Sequence, residues 1–286
     1  MKNIIVRSLS GAVYVALIVC SILFGGGWAF PALCSVFAFI GILEFQKMTQ
    51  SDFYYSPRML FVDLLIGLTI PAIMAMYLCG LPAMAVLTLI FIAALSIMRL
   101  VMQLYSHRDD PVSHIAYSIM SVIYVSLPLA AATCLLFISG PLLLLMFVLI
   151  WLNDTGAFVV GSAIGSHRLF QRHSPKKSWE GFFGGMAFTI LTAILSRQLF
   201  PEYFSAFTTM SLIAFAIVVS VMSTWGDLFE SMIKRTAGVK DSGNIIPGHG
   251  GILDRIDSLL FVAPATLIYW IAVHILPSFI GFLRVQ

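Results

Sequence analysis

The segment "PLLLLMFVLIWLNDTGAFVVGSAI", residues 141–164, is long and apolar enough to cross a lipid bilayer as one α-helix. Similar segments recur along the chain, because 60% of its 286 residues are hydrophobic and only 10% are charged. The mean hydropathy of +0.99 is too high for a water-soluble domain of this length. The sequence therefore predicts an all-α polytopic integral membrane protein.

Charges, prolines and glycines divide the chain into nine candidate spans. These spans cover residues 9–24, 28–46, 60–78, 81–104, 113–138, 141–164, 178–199, 207–232 and 258–283. The first has a basic flank but no A-x-A cleavage site, so we expect a membrane helix instead of a cleaved signal peptide. Spans one to five are expected to form an N-terminal bundle, 1–140. Spans six to nine are expected to form a catalytic region, 141–286, with cytoplasmic loops at 165–177 and 233–257.

The positive charges are distributed unequally between the two sides of the predicted membrane. All but Arg197 and Arg284 of the 16 Lys and Arg residues fall on the side of the N-terminus. The positive-inside rule then places the N-terminus and the long loops in the cytoplasm and the C-terminus outside. We expect a multi-pass protein of the cell inner (plasma) membrane whose active site faces the cytoplasm.

Composition also argues against several classes of function. The net charge of +3 is thinly spread and forms no basic face, so nucleic acid is not expected as a partner. The four cysteines lie singly in apolar stretches without a CxxC or Cys/His spacing, which favours neither a disulfide framework nor a zinc site. They are Cys20, Cys34, Cys79 and Cys134.

Polar residues interrupt the sixth span at Asn153 and Asp154. A carboxylate at membrane depth is costly unless it is paired, hydrated or bound to a metal, so Asp154 is interpreted as functional. Ala157, Gly161 and Gly165 follow at intervals of four, and this spacing predicts the close approach of another helix.

The loop "HRLFQRHSPKKSWEGFFGG", residues 167–185, carries four cations before the seventh span. Arg168 and Arg172 are explained as positive-inside anchors. Within "SPKKSWEG", the Ser-Pro pair predicts a turn into a helix. Lys176 and Lys177 would then lie near a helix N-terminus, which adds its own partial positive charge. This segment is interpreted as a cradle for polyphosphate.

The eighth span and the loop after it hold the third polar group. Five residues recur at helical spacing on one face, with Glu230 beside them, and a polar stripe in a membrane needs a partner filled with water or ions. They are Ser220, Ser223, Asp227, Ser231 and Lys234. After a glycine-rich loop, Asp254 and Asp257 stand three apart, which places both on one face at the start of the ninth span.

The helix dipole favours acids in a first turn by about 0.3–1 kcal/mol, which would explain either late aspartate alone. It does not explain Asp154 and Asp227, two further carboxylates expected to be buried on neighbouring helices. Mg²⁺ prefers a few carboxylates together with waters and substrate phosphates, and a triphosphate also needs Lys or Arg donors. The pattern predicts a site where a metal-bound nucleotide meets a membrane-embedded substrate.

The segment "SMIKRTAGVKDSGNIIPGHGGILDRID", residues 231–257, resembles the signature of CDP-diacylglycerol synthase, also called phosphatidate cytidylyltransferase. That signature reads S-x-x-K-R, four residues, K-D-x-G, then P-x-H-G-G-x-x-D-R-x-D, and every fixed position is filled. "NDTGA", "SPKKSWEG" and "GDLFES" are similar to the upstream blocks of the family. The resemblance thus covers about 150–257, whereas the first 140 residues match only in hydropathy.

The resemblance implies transfer of a cytidylyl group from CTP to phosphatidic acid, giving CDP-diacylglycerol and pyrophosphate. Mg²⁺ is the implied cofactor, K⁺ is a candidate second cation, and a homodimer is suggested. The implied metal ligands are Asp227 and Asp254, followed by Asp257 and Asp154. The implied phosphate-binding residues are Lys176, Lys177, Lys234, Arg235 and Lys240. Ser174, Ser178 and Ser231 would add hydroxyl groups.

Other residues of the matching blocks are also candidates for the site. Asn153 and Glu180 are expected near the substrates, and Asp241 belongs to the catalytic signature. His249 would either fix the loop or contact phosphate, and Arg255 would pair with a neighbouring aspartate or with substrate.

Two other functions are compatible with parts of the pattern. A CTP-dependent lipid kinase of the polyprenol type would release CDP instead of pyrophosphate. A cation-coupled transporter would also use intramembrane acids, but spans one to five offer only Asp63 well inside a span.

Overall fold

The structure is a computed structural model that describes residues 2–49, 56–106, 110–205, 207–245 and 250–275. Apart from one hairpin, its regular elements are helical. The α-helices are α1 Lys2–Phe24, α2 Ala29–Thr49, α3 Pro57–Leu78, α4 Pro82–Leu104, α5 Pro111–Ser121, α6 Leu127–Ile138, α7 Gly140–Ile164, α8 Trp179–Leu199, α9 Pro201–Phe204, α10 Thr209–Thr236 and α11 Leu253–Trp270. Two π-helical segments, Val122–Ser126 and Ile271–Ile275, follow α5 and α11.

Eight segments among the described residues are long and apolar enough to cross a membrane. They are Ala29–Thr49, Pro57–Leu78, Pro82–Leu104, Pro111–Ile138, Gly140–Ile164, Trp179–Leu199, Thr209–Thr236 and Leu253–His274. They overlap predicted spans two to nine, so the all-helical membrane class is confirmed. The first predicted span lies in α1, whose apolar part, Leu9–Phe24, is shorter than the other eight.

The chain forms two compact units, each made of two separate ranges. The first contains the described residues of 1–140 and 233–256, and the second contains those of 141–232 and 257–286. The described residues of 233–256 belong to the same unit as α1 to α6.

Helix α3 is central to the first unit, where it packs against α2, α4 and α6. Val62, Ile66 and Leu95 form a buried apolar cluster between α3 and α4. Beside it, Arg99 Nε lies 3.2 Å from Asp63 Oδ1, and Gln46 Nε2 donates to Asp63 Oδ2 at 3.0 Å. Arg99 and Asp63 are only 4% and 1% exposed, so each charge compensates the other inside the helix bundle.

The second unit brings α7 and α8 into close contact, as the small-residue spacing predicts. A Cβ placed on Gly181 would lie 2.8 Å from the Ala157 carbonyl oxygen and 3.2 Å from Gly161 Cα. The backbones of the two helices thus touch where neither has room for a side chain.

The loop before α8 forms an antiparallel hairpin of β1 Arg168–Phe170 and β2 Ser174–Ser178. This corrects the expectation that Ser174 and Pro175 turn directly into a helix, because Lys176 and Lys177 lie on β2. Helix α8 begins only at Trp179, after Ser178 accepts a hydrogen bond from Gly181 N at 3.1 Å as its N-cap.

Candidate active site

Four carboxylates gather in the second unit. Asp257 on α11 interacts electrostatically with Asp227 and Glu230 on α10 and with Asp154 on α7. Glu230 is fully buried, and the Asp227 side chain is 34% exposed. Like charges this close repel one another, so the cluster favours the binding of cations.

Lys177 of β2 supplies a cation to this cluster. Its Nζ lies 2.5 Å from Asp227 Oδ2, and the Lys177 side chain is 28% exposed. The Ser231 hydroxyl, one turn further along α10, donates to the other Asp227 oxygen at 3.2 Å. Lys177 compensates the Asp227 carboxylate directly, and the negative potential of the four acids favours cations at this place.

Close backbone contact brings α10 and α11 together at the cluster. A Cβ on Gly226 would lie 2.6 Å from the Asp257 carbonyl oxygen. One residue further along α11, the Ser258 hydroxyl donates to the Ser223 carbonyl at 3.1 Å. Glycine at 226 therefore lets the residue after it, Asp227, lie near Asp257.

The two polar residues of α7 have different surroundings. Asn153 is buried, and its Oδ1 accepts a hydrogen bond from Ser220 Oγ of α10 at 2.7 Å. The expectation that Asp154 and Asp227 are buried is wrong, because Asp154 is exposed and Asp227 only partly covered. Consecutive residues of a helix point about 100° apart, so Asn153 lies on the buried face of α7 while Asp154 lies on an exposed face.

The residues of the cluster fit Mg²⁺ only as a partial ligand set. Among the described residues, no group of three His, Cys, Asp or Glu side chains has the geometry of a complete metal site. Mg²⁺ commonly takes one or two protein carboxylates and completes its shell with waters and substrate phosphates. Asp227 and Asp257 match that requirement.

Glu180 connects the hairpin to the start of α8. Its Oε1 lies 2.6 Å from His167 Nδ1 and accepts a hydrogen bond from Ser166 Oγ at 2.8 Å. The Trp179 N–H donates to the His167 carbonyl at 2.9 Å. These contacts fix the strand that carries Lys177. Lys176 is exposed on the same strand, and Ser174 is partly buried.

A second polar group lies in the first unit, around Asp254. Its Oδ1 lies 2.6 Å from Lys234 Nζ. Its Oδ2 accepts hydrogen bonds from Ser242 N at 2.9 Å, Ser242 Oγ at 2.9 Å and Gly251 N at 2.8 Å. Gly250 has a φ of +81° and passes so close to Asp254 Oδ2 that a Cβ would collide with it. Asp254 thus holds Lys234 and the glycine-rich turn together.

Glu44 of α2 joins the same group, although the sequence analysis did not select it. Its Oε1 accepts a hydrogen bond from Ile252 N at 3.0 Å, and its Oε2 accepts one from Leu253 N at 2.9 Å. The signal that could have identified Glu44 is the one used for Asp154, namely an acid in an apolar span.

The other predicted site residues between 235 and 255 differ in their exposure. Arg235, Lys240 and Asp241 are exposed, and Arg235 Nη1 donates to the Val239 carbonyl at 3.0 Å. Arg255 is partly buried on α11. His249 lies outside the described residues.

Comparison with known proteins extends the similarity over nearly the whole chain. The model of the cytidylyltransferase family matches residues 5–273. A phosphatidate cytidylyltransferase of Staphylococcus epidermidis is 35% identical over 264 residues, covering 91% of this chain and 96% of that protein. Proteins of the same name from Staphylococcus aureus and Staphylococcus saprophyticus are 34% and 31% identical over 259 residues, with the same coverage. The likeness therefore includes α1 to α6, where the sequence analysis found only shared hydropathy.

Proposed function

Because the chain belongs to the cytidylyltransferase family, we propose that it converts CTP and phosphatidic acid to CDP-diacylglycerol and pyrophosphate. It is a nucleotidyltransferase of phospholipid biosynthesis and a multi-pass membrane protein. The observation that carries the proposal is the carboxylate cluster of the second unit with Lys177 beside it. A site for a nucleotide polyphosphate requires both acids to hold a metal and cations to hold phosphate.

The proposed reaction is one in-line displacement at phosphorus. A phosphate oxygen of the lipid attacks the α-phosphorus of CTP, and a new oxygen–phosphorus bond forms. The bond from the α-phosphorus to the bridging oxygen breaks, and pyrophosphate leaves with that oxygen. Since the lipid phosphate is already anionic near neutral pH, positioning and charge neutralisation suffice without a strong general base.

Asp227 and Asp257 are proposed to bind Mg²⁺ together with the nucleotide phosphates. When bound, Mg²⁺ would neutralise charge on the phosphates and polarise the α-phosphoryl group. Ser231 orients the Asp227 carboxylate through its hydrogen bond, and Asp154 and Glu230 add negative potential. That potential also favours K⁺ as a second cation.

Lys177 and Lys176 are proposed to bind phosphate oxygens of CTP. The hydrogen bonds of Glu180 position the strand on which both lysines lie. In the first unit, Lys234 is proposed to bind phosphate while Asp254 orients it. We assign Asp254 to Lys234 instead of to a metal, because its two carboxylate oxygens accept from four donor groups of the chain, whereas Asp227 accepts only from Lys177 and Ser231 among the described residues.

The distribution of Lys and Arg supports a site on the cytoplasmic side, where CTP is available. The cell inner (plasma) membrane is the proposed location. The family resemblance also suggests a homodimer. A transporter has less support, since Asp63 is paired with Arg99.

The reaction can be tested with purified protein in detergent, given labelled CTP, phosphatidic acid and Mg²⁺. We expect labelled CDP-diacylglycerol and an equal amount of pyrophosphate. Assays without phosphatidic acid or with excess chelator are the controls, and both should give background product. Formation of CDP with a phosphorylated lipid alcohol would instead identify a CTP-dependent lipid kinase.

A further inference from the structure

We infer that Glu44, on α2, is a positioning residue for the cytidylyl transfer, acting through Ser242 and Asp254 on Lys234. The inference rests on the proposed function, because Lys234 matters here as a phosphate-binding residue. All four residues belong to the first unit.

Glu44 provides an N-cap for α11 from a distant part of the chain. The first N–H groups of a helix have no partner within it, and a nearby side chain usually accepts from them. Here both Glu44 oxygens accept, from Ile252 N and Leu253 N, across 208 and 209 residues of sequence. Glu44 is only 3% exposed, and a carboxylate at a helix N-terminus is also favoured by the helix dipole.

The glycine-rich turn closes around this carboxylate. A Cβ on Gly243 would lie 2.6 Å from Glu44 Oε1, and a Cβ on Gly251 would collide with Oε2. The backbone therefore approaches the Glu44 carboxylate closely at Gly243 and again at Gly251. Only glycine allows that approach without displacement of the carboxylate or the turn.

Ser242 transmits the position of Glu44 to Asp254. Its hydroxyl lies 3.2 Å from Glu44 Oε2 and 2.9 Å from Asp254 Oδ2. A hydroxyl has one proton, so it donates to one of the two carboxylates at a time. The Ser242 N–H also donates to Asp254, whose other oxygen contacts Lys234. Displacement of Glu44 would therefore disturb the turn and shift the Asp254 carboxylate that Lys234 contacts.

Replacement of Glu44 by Gln separates this role from simple space filling. Glutamine has nearly the same size but keeps only one acceptor oxygen, and its NH₂ group would face an N–H donor of α11. Glu202→Gln is the matched control, because Glu202 is an exposed acid on α9 outside the proposed site. Ser242→Ala removes only the shared hydroxyl.

The test measures kcat and KM for CTP and for phosphatidic acid in wild type, E44Q, S242A and the E44Q/S242A double variant, with E202Q as control. Size-exclusion profiles and melting temperatures establish the folded fraction. We expect E44Q to lower kcat at least tenfold and to raise KM for CTP, with KM for phosphatidic acid changed less than threefold. The effects of E44Q and S242A should be less than additive, because both act on one hydrogen-bonded path.

A folded E44Q variant with the kcat and the KM for CTP of E202Q would overturn the inference while leaving the proposed function intact. Additive effects in the double variant would also contradict it. If E44Q does not fold, the same change in kcat and KM is expected of S242A, and its absence there counts against the inference. A folded wild type that forms no CDP-diacylglycerol would overturn both proposals.

Discussion

Lys177 Nζ lies 2.5 Å from Asp227 Oδ2, although both side chains remain about a third exposed. Ion pairs at this exposure contribute roughly 0–1 kcal/mol to stability, so folding alone gives little reason for the pair. The Asp227 carboxylate also belongs to a group of four acids. We therefore interpret Lys177 as a cation placed for the substrate.

Replacing Lys177 by Met should raise KM for CTP without unfolding the protein. A hydrogen bond from a charged group is worth about 1.5–3 kcal/mol, which corresponds to roughly a 10- to 100-fold increase. Steady-state assays at saturating phosphatidic acid measure this. Lys47→Met, at an exposed position on α2, is the control. An unchanged KM for CTP in K177M would remove Lys177 from the phosphate site.

The helices themselves follow closely from the sequence. The long apolar segments bounded by charges, prolines and glycines predicted the eight long helical segments that the structure contains among its described residues. Such segments become helices because a helix satisfies its backbone hydrogen bonds within the membrane. The sequence also predicted one metal site with Asp154, Asp227, Asp254 and Asp257. Asp154 and Asp227 interact with Asp257 in the second unit, whereas Asp254 contacts Lys234 in the first. The sequence did not reveal that Asp154 is exposed, since helical periodicity does not say which neighbour covers each face.

Two features of the elements depend on contacts distant in sequence. The β1–β2 hairpin is joined to α8 by Glu180, which lies 13 residues from His167. Glu44 caps a helix 208 residues away. Local propensity contains no signal for either contact. The sequence therefore predicted that Ser174 and Pro175 turn directly into a helix, and it did not indicate that Glu44 caps α11.

The Asp63–Arg99 pair connects α3 to α4 inside the first unit. Asp63→Asn should leave the Arg99 charge buried without its counterion, and removing one partner of such a pair costs roughly 3–5 kcal/mol. Melting temperature in detergent should fall clearly. The double variant Asp63→Leu/Arg99→Met should recover much of that loss, because neither buried charge of the pair remains.

The control is Ser96→Ala. Ser96 is partly buried and lies three residues before Arg99 on α4, so this variant tests a polar change near the pair. A melting temperature of Asp63→Asn equal to that of this control would contradict a structural role for the pair. It would also reopen a role for Asp63 in ion passage.

At the scale of the whole molecule, the two compact units contain different parts of the proposed chemistry. The second contains the carboxylates and Lys177, and the first contains Lys234 with Asp254 and Glu44. Similarity to phosphatidate cytidylyltransferases covers 91% of the chain and thus both units. Either unit alone would lack residues to which we assign a role.

The central claim is that Asp227 and Asp257 bind a divalent metal together with CTP. Mn²⁺ binding to the purified protein, followed by electron paramagnetic resonance with a non-hydrolysable CTP analogue, tests it most directly. We expect wild type and E202Q to bind Mn²⁺ with the analogue, and Asp227→Asn and Asp257→Asn to bind it at least tenfold more weakly while remaining folded. Equal Mn²⁺ affinity in wild type and both variants would contradict the claim.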